Sequence, residues 1–273
     1  MSVRALCKHA GMSPQNYYKT RKIRRREKVD ELLVKKLVQA ERAAQPRLGG
    51  LKLHRMLRKE LEAQNVSLGR DRFFEVLRNQ ALLLEPLPKA PRTTNSTHSL
   101  PVFTNLIKEM DLSAPNQVWV SDITYIRTRD EFVYLSLITD KYSRKIVGYH
   151  LGRSLEAQDT LKALEMALKQ LPNGALPIHH SDRGCQYCSH EYVNVLQERA
   201  LAISMTEEDH CAENALAERV NGILKQEYVL NCEFRTVAQA GKAVDEAVHL
   251  YNTRRPHRSL QLRTPENVHS KAA

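Results

Sequence analysis

The chain reads as an α/β protein: a five-stranded mixed sheet flanked by helices over residues 117–273, preceded by small all-α units. Three observations lead there. Charge is divided unevenly, with 21 Lys/Arg against 9 Asp/Glu in residues 1–90 and 21 against 22 in the rest, so the net +11 belongs to the first third. Prolines and small polar residues then collect between 85 and 116 (Pro86, Pro88, Pro91, Thr93 to Ser99, Pro101, Pro115), the composition of a linker. Beyond 116, apolar residues alternate with period two in three closely spaced runs, and strand-like and helix-like segments then take turns.

In chain order, Val3 to His9 predicts a first helix and Ala10-Gly11-Met12 a turn. Ser13 is a good N-cap and Pro14 suits the first helical position, so a second helix opens there and runs through Tyr17 and Tyr18. This is the pattern of a helix-turn-helix, with Gln15, Asn16 and Lys19 at the exposed start of the helix that would enter a DNA groove. The basic run Arg21, Lys22, Arg24, Arg25 and Arg26 follows, then a separate helix over 27–44, completing a unit 1–46. Residues 47–84 predict a second small helical unit. Leu53, Leu57 and Leu61 stripe one helix, Phe74 and Leu77 have core spacing on the next, and Arg70 and Arg72 are available outside. A concentrated basic region of this kind is the footprint of a polyanion, nucleic acid first among them.

After the linker 85–116, strands are expected at Gln117–Arg127, Glu131–Thr139 and Lys145–Gly152, short gaps making them an antiparallel meander. A helix at Leu155–Leu171, a strand at Leu176–Ser181, a helix at His190–Arg199, a strand at Leu201–Met205 and helices at Ala212–Tyr228 and Val237–Asn252 complete the core. Three carboxylates occupy telling places in it. Asp122 lies inside the alternating run Val118-Trp119-Val120-Ser121-Asp122-Ile123-Thr124-Tyr125-Ile126, Asp182 at a strand's end before Gly184, and Glu218 on a strongly helical stretch. Two strand carboxylates and one helix carboxylate can hold a pair of divalent cations for phosphodiester chemistry, and their arrangement is that of a ribonuclease-H-like fold. Hard oxygen donors suit Mg2+, with Mn2+ as substitute and two ions per site. Trp119 and Tyr125 are an odd number of residues from Asp122, which predicts the opposite face of the strand and core packing.

Several ordered motifs then coincide: Trp119 to Ile126, His180-Ser181-Asp182-Arg183-Gly184-Cys185-Gln186-Tyr187, Asn214-Ala215-Leu216-Ala217-Glu218 and Tyr251-Asn252-Thr253-Arg254-Arg255-Pro256-His257, with 35 residues between Asp182 and Glu218. Over residues 116–268 they resemble the integrase-core transposases of bacterial insertion sequences, the insertion-sequence-3 branch in particular. The resemblance implies Asp122, Asp182 and Glu218 as catalytic and metal-binding residues, and Lys225, seven residues after Glu218, as a contact to terminal DNA. It implies double-stranded DNA (terminal inverted repeats and target) as partner, a homodimer or higher oligomer on DNA, and a possible upstream-encoded element protein. Glu207-Glu208-Asp209-His210-Cys211-Ala212-Glu213 departs from the glycine-containing loop the family would place before the glutamate helix, with Glu213 where Asp is usual. A non-catalytic end-binding repressor and a ribonuclease-H-type nuclease are the competing readings.

Other groups are weaker candidates. Cys185-x-x-Cys188, near His179, His180 and His190, lacks a second pair to complete a zinc site. Asp140 suits a turn better than a fourth acid, His210 and Cys211 fall on the divergent loop, and His257 is read as part of a backbone-contacting, structural cluster. Five cysteines are no disulfide framework. With no run of 18 apolar residues and no signal-peptide pattern, a cytoplasmic protein without membrane partner is expected.

Overall fold

The computed structural model describes residues 2–85, 100–207 and 213–271, with the side chains of 23–29 and 271 outside the description. The chain divides into two compact units, Met1–Glu85 and Pro86–Ala273.

The first unit contains α1 (Val3–His9), α2 (Pro14–Ala44), α3 (Gly50–Ala63) and α4 (Arg70–Asn79). Ser2 and Ser13 cap the first two helices, accepting hydrogen bonds from the Ala5 and Asn16 backbone N–H groups at 3.3 and 3.1 Å. The two helices expected around the basic cluster are one continuous α2 of 31 residues. Arg and Lys are strong helix formers and neither Gly nor Pro interrupts the run, so nothing ends the helix there. The apolar centre joins Val34 and Val38 of α2 to Leu53, Leu57 and Leu61 of α3 and Phe73, Val76 and Leu77 of α4. Phe73, not Phe74, is the buried aromatic, since Phe73, Val76 and Leu77 form the i, i+3, i+4 stripe.

The second unit is built on β1 (Val118–Arg127), β2 (Phe132–Asp140), β3 (Ile146–Gly152), β4 (Ile178–Ser181) and β5 (Ile203–Met205), in the spatial order β3-β2-β1-β4-β5. The first three form the antiparallel meander, while β4 and β5 join parallel to β1. Helices α5 (Ala157–Lys169) and α6 (His190–Glu198) cover one face; α7 (Ala215–Glu227) and α8 (Val237–Thr253) cover the other. The first interface buries Trp119, Ile138 and Val147 with Leu164, Tyr192 and Leu196, and the second buries Ile126, Leu135 and Leu137 with Val220, Leu224, Val244 and Tyr251. At Gly148 the approach of α5 is so close that a Cβ would stand 2.2 Å from the Ala163 carbonyl oxygen. This three-layer arrangement, three antiparallel strands followed by two parallel ones, is the ribonuclease-H-like fold expected from the sequence.

Two parts of the unit differ from the sequence reading. Residues 100–116 pack on the core, with Ile107 buried against Val118 and Val120, and the Leu106 N–H donating to Ser204 Oγ at 2.9 Å. The chain also adds a last helix, α9 (Pro265–Lys271), tied to the β2–β3 turn by the Lys145–Glu266 ion pair at 2.9 Å. Among the described residues, no helix is long and apolar enough to cross a membrane.

Candidate active site

Strand register brings the first two carboxylates together. β1 and β4 run parallel with Val120 opposite His180, where the pairing of β1 with β4 ends, and Asp122 and Asp182 each lie two residues beyond that pair. Period two then puts both on the face of Val120, the face on which Ala217 of α7 packs. The site thus lies at the carboxyl end of β4 and midway along β1, where the two strands cease to pair.

The two aspartate side chains are held by short local contacts. Asp122 accepts hydrogen bonds from its neighbour Ile123 N–H at 2.9 Å and from Asn221 Nδ2 at 2.7 Å. Asp182 Oδ1 accepts from the Gly184 N–H at 3.0 Å. A Cβ at Gly184 would stand 3.0 Å from that same oxygen, so the close turn favours glycine. Glu218 is exposed in the first turn of α7, whose start is tied to β1 by Asn214 Nδ2 donating to the Ser121 carbonyl at 3.1 Å. Burial, then the neighbouring Asp182 charge, push the Asp122 carboxyl up to about 7, with Glu218 adding a smaller push. The hydrogen bonds from Asn221 and Ile123 oppose that rise. Lys225 is also close: burial lowers its pKa while the Asp122 charge raises it.

Asp122 and Asp182 line a cleft of about 880 Å³. Among the described residues, no group of three acidic, histidine or cysteine side chains could hold a metal ion as they stand. The donors nevertheless fit divalent cations chemically. They are all hard carboxylate oxygens, and burial, then the neighbouring Asp182 charge, disfavours the ionised Asp122, which a cation would favour.

Tyr125 departs from its expected place. Trp119 is in the core, but Tyr125 lines the cleft with the Lys225 ammonium 3.9 Å from its ring centroid. β4 pairs only as far as Val120, so the end of β1 that carries Tyr125 has no strand on that side. Asn221 was not singled out by the sequence, although its i+3 spacing from Glu218 puts both on one side of α7.

The remaining candidates are accounted for locally. Gln15, Asn16, Lys19, Arg21 and Lys22 are exposed on α2, whereas the side chains of Arg24, Arg25 and Arg26 fall outside the described residues. Arg70 pairs with Asp71 at 2.8 Å; Arg72 pairs with Glu75 at 2.8 Å and Glu31 at 3.6 Å. Cys185 is exposed, while Cys188 is buried 3.7 Å from Met205 Sδ, its thiol pushed up to about 11 by burial. His179 lies deep in the sheet, its Nε2 2.8 Å from Ser121 Oγ and 2.9 Å from Tyr192 Oη, and burial lowers its pKa to about 3. His190 is exposed, and His180 Nδ1 lies 2.9 Å from Ser204 Oγ.

Asp140 is a turn-forming residue. It accepts from the Asn116 and Ser143 N–H groups at 2.7 Å each and from Ser143 Oγ at 2.6 Å. Burial raises its pKa, but hydrogen bonds from His269, Ser143 and the backbone outweigh that and lower it overall. In the C-terminal motif, His257 packs edge-on to Tyr251, and the buried Arg255 guanidinium makes two 2.8 Å bonds to the Glu227 carboxylate at the end of α7. Glu207 and Glu213 are joined through the Glu207 N–H; His210 and Cys211 lie outside the described residues.

Comparison with known proteins shows the family of the chain. Two family profiles, both described as integrase core domain, match residues 113–211 and 199–265. The Insertion element IS600 uncharacterized 31 kDa protein of Shigella sonnei is 37% identical over 225 residues, covering 80% of this chain and 83% of that one. Transposase InsF for insertion sequence IS3A of Escherichia coli (strain K12) is 35% identical over 171 residues, 62% of this chain and 59% of InsF. Among solved structures, the HTLV-2 integrase catalytic core domain in complex with magnesium aligns over 57% of this chain and 97% of that one, at 21% identity and a TM-score of 0.46. The chain belongs to the integrase-core family of insertion-sequence transposases, DDE enzymes of the insertion-sequence-3 type.

Proposed function

We propose that this chain binds the terminal inverted repeats of its element and cleaves and joins DNA strands through a two-metal site formed by Asp122, Asp182 and Glu218. The observation that supports this most strongly is that Asp122 and Asp182 each lie two residues beyond the last β1–β4 pair, Val120–His180, and line one cleft. When bound, a pair of Mg2+ or Mn2+ ions activates the attacking oxygen and stabilises the leaving 3′-oxygen.

The protein's own groups have distinct parts. Asn221 and the Ile123 N–H favour the ionised form of Asp122 and fix its direction. The Gly184 N–H orients Asp182. Glu218, exposed on the first turn of α7, can change rotamer to complete the site without moving the helix. Lys225 supplies positive charge beside Asp122, suited to a scissile or flanking phosphate. The exposed polar and basic residues Gln15, Asn16, Lys19, Arg21 and Lys22, with Arg24, Arg25, Arg26, Arg70 and Arg72, would grip the ends, phosphate contacts making affinity salt-sensitive. Two ends brought together call for a dimer or larger assembly, with an upstream-encoded element protein as a further partner.

The test is a Mg2+- or Mn2+-dependent cleavage and strand-transfer assay on DNA carrying the flanking repeats, with wild type beside Glu218→Gln. The expected result is metal-dependent 3′-end joining in wild type only, with DNA binding retained in both. Joining at the wild-type rate by the variant, or none by either protein, would overturn the reading.

A further inference from the structure

The cleft that holds Asp122 and Asp182 extends well past the carboxylates, and its far part changes character. There it is lined by Tyr125, Phe132 and Tyr134, on the hairpin formed by β1 and β2. Tyr125 pairs with Tyr134 across the hairpin, and its ring meets Phe132 edge-on at 5.6 Å between centroids. Phe132 is 49% exposed, unusual for a phenylalanine with so much apolar sheet available to cover it.

Two cations border this aromatic wall. Lys225 Nζ lies 3.9 Å from the Tyr125 ring centroid, and Arg127 Cζ lies 5.9 Å from that of Phe132. Exposed aromatic faces with flanking positive charge are what single-stranded nucleic acid requires, the rings for its bases and the cations for its phosphates. Three residues of strand separate Asp122 from Tyr125, roughly 10 Å at the usual rise. That is about the reach of the first three nucleotides from a phosphate held at the carboxylates.

We infer that the aromatic end of the cleft, formed by Tyr125, Phe132 and Tyr134, is a binding site for an unstacked nucleobase of the reacting strand. The inference rests on the phosphodiester reading of the carboxylates and adds what holds the substrate beside them. A base withdrawn from the duplex stacks on Phe132, while Lys225 faces the backbone around it and Arg127, ion-paired with Glu233 at 3.0 Å, borders the ring. Recognition by stacking tolerates any base, so the site reads a frayed or single-stranded end more than a sequence.

Binding can be measured apart from catalysis, with the full chain in Ca2+ and DNA ends carrying three unpaired nucleotides, each replaced in turn by an abasic residue. Phe132→Ala, at a half-exposed hairpin position, is expected to weaken binding of the intact overhang roughly five- to hundredfold. It should have little effect on the end lacking the stacked base, and Phe132→Tyr should restore binding. Equal weakening of intact and abasic ends, or no weakening of either, would overturn the inference. A separate Mg2+ cleavage assay with Glu218→Gln tests the carboxylate reading, so loss of the base site with retained cleavage would leave that reading standing.

Discussion

The two units of this chain carry polar chemistry in opposite ways. In residues 2–85 the interior is apolar, and the described buried polar side chains number two, Glu41 and Gln45. Apart from Glu41, the charge named in this unit is on the surface, where Lys19, Arg21, Lys22 and Arg70 stand exposed. In the sheet unit, charge is nearly balanced but polar groups go inside: Ser121, Asp140, His179, His180, Asn221, Asn252 and Arg255 are all buried. The difference teaches where each activity can reside. A binding surface for a polyanion needs only displayed charge on a stable frame, whereas a site that places metal ions needs buried partners that fix each carboxylate.

Substitutions can break this contrast, the largest effect coming from the site itself. Asp122→Asn should lower strand cleavage on the order of 10³-fold or more, since the proposed two-metal site would lose a carboxylate, while DNA affinity stays near wild type. Loss of DNA binding in a gel-shift assay would show that the two activities are not separated as described.

The same variant sharpens the energetic side. The folded-state pKa of Asp122, about 7, lies above its ordinary value of 3.8, so the folded protein binds more protons between those limits. Stability therefore falls as pH rises through that window, by up to about 4 kcal/mol from this group alone. In metal-free buffer at pH 8, Asp122→Asn should melt at a higher temperature than wild type, with the difference vanishing near pH 4. A lower melting temperature for the variant at pH 8 would contradict the unfavourable burial of this carboxylate.

Two changes away from the site should act through packing and pairing. Leu57→Ala, in the apolar cluster of the first unit, should cost about 2–5 kcal/mol there. It should reduce DNA-end affinity, measured by fluorescence anisotropy, and leave Mn2+ binding by the second unit intact. Arg255→Ala removes two 2.8 Å bonds between a buried guanidinium and Glu227, and should destabilise the second unit by about 3 kcal/mol in thermal unfolding. Because Glu227 ends the helix carrying Glu218, cleavage should fall as well. The smallest effect is expected from Lys19→Ala, which should weaken DNA binding on all sequences and reduce the salt dependence by about one phosphate contact.

Much of the sheet unit was legible from sequence because periodicity reports burial directly. The alternating run around Asp122 gives a strand, and the short apolar segment before Asp182 gives a strand's end. The motifs then fix the pairing that periodicity leaves open. Less legible features depend on spatial neighbours. Tyr125 has core-facing parity, but the limited pairing of β4 with β1 places its ring on the cleft. Asn221 looks like any polar helix residue until Asp122 is placed opposite it. Residues 100–116 have a linker's composition, yet Ile107 is buried and Leu106 bonds to Ser204, 98 residues away in sequence. The short α9 was missed because its start, Thr264-Pro265, precedes few apolar residues, although Val268 is buried.

The central claim is that Asp122, Asp182 and Glu218 act together on divalent cations. The most direct measurement is anomalous diffraction from crystals grown with Mn2+. Anomalous peaks are expected at the Asp122 and Asp182 carboxylates, with Glu218 turned in from its exposed position to share one of them. Saturating Mn2+ with no peak at these carboxylates, or peaks bound only elsewhere on the chain, would contradict it.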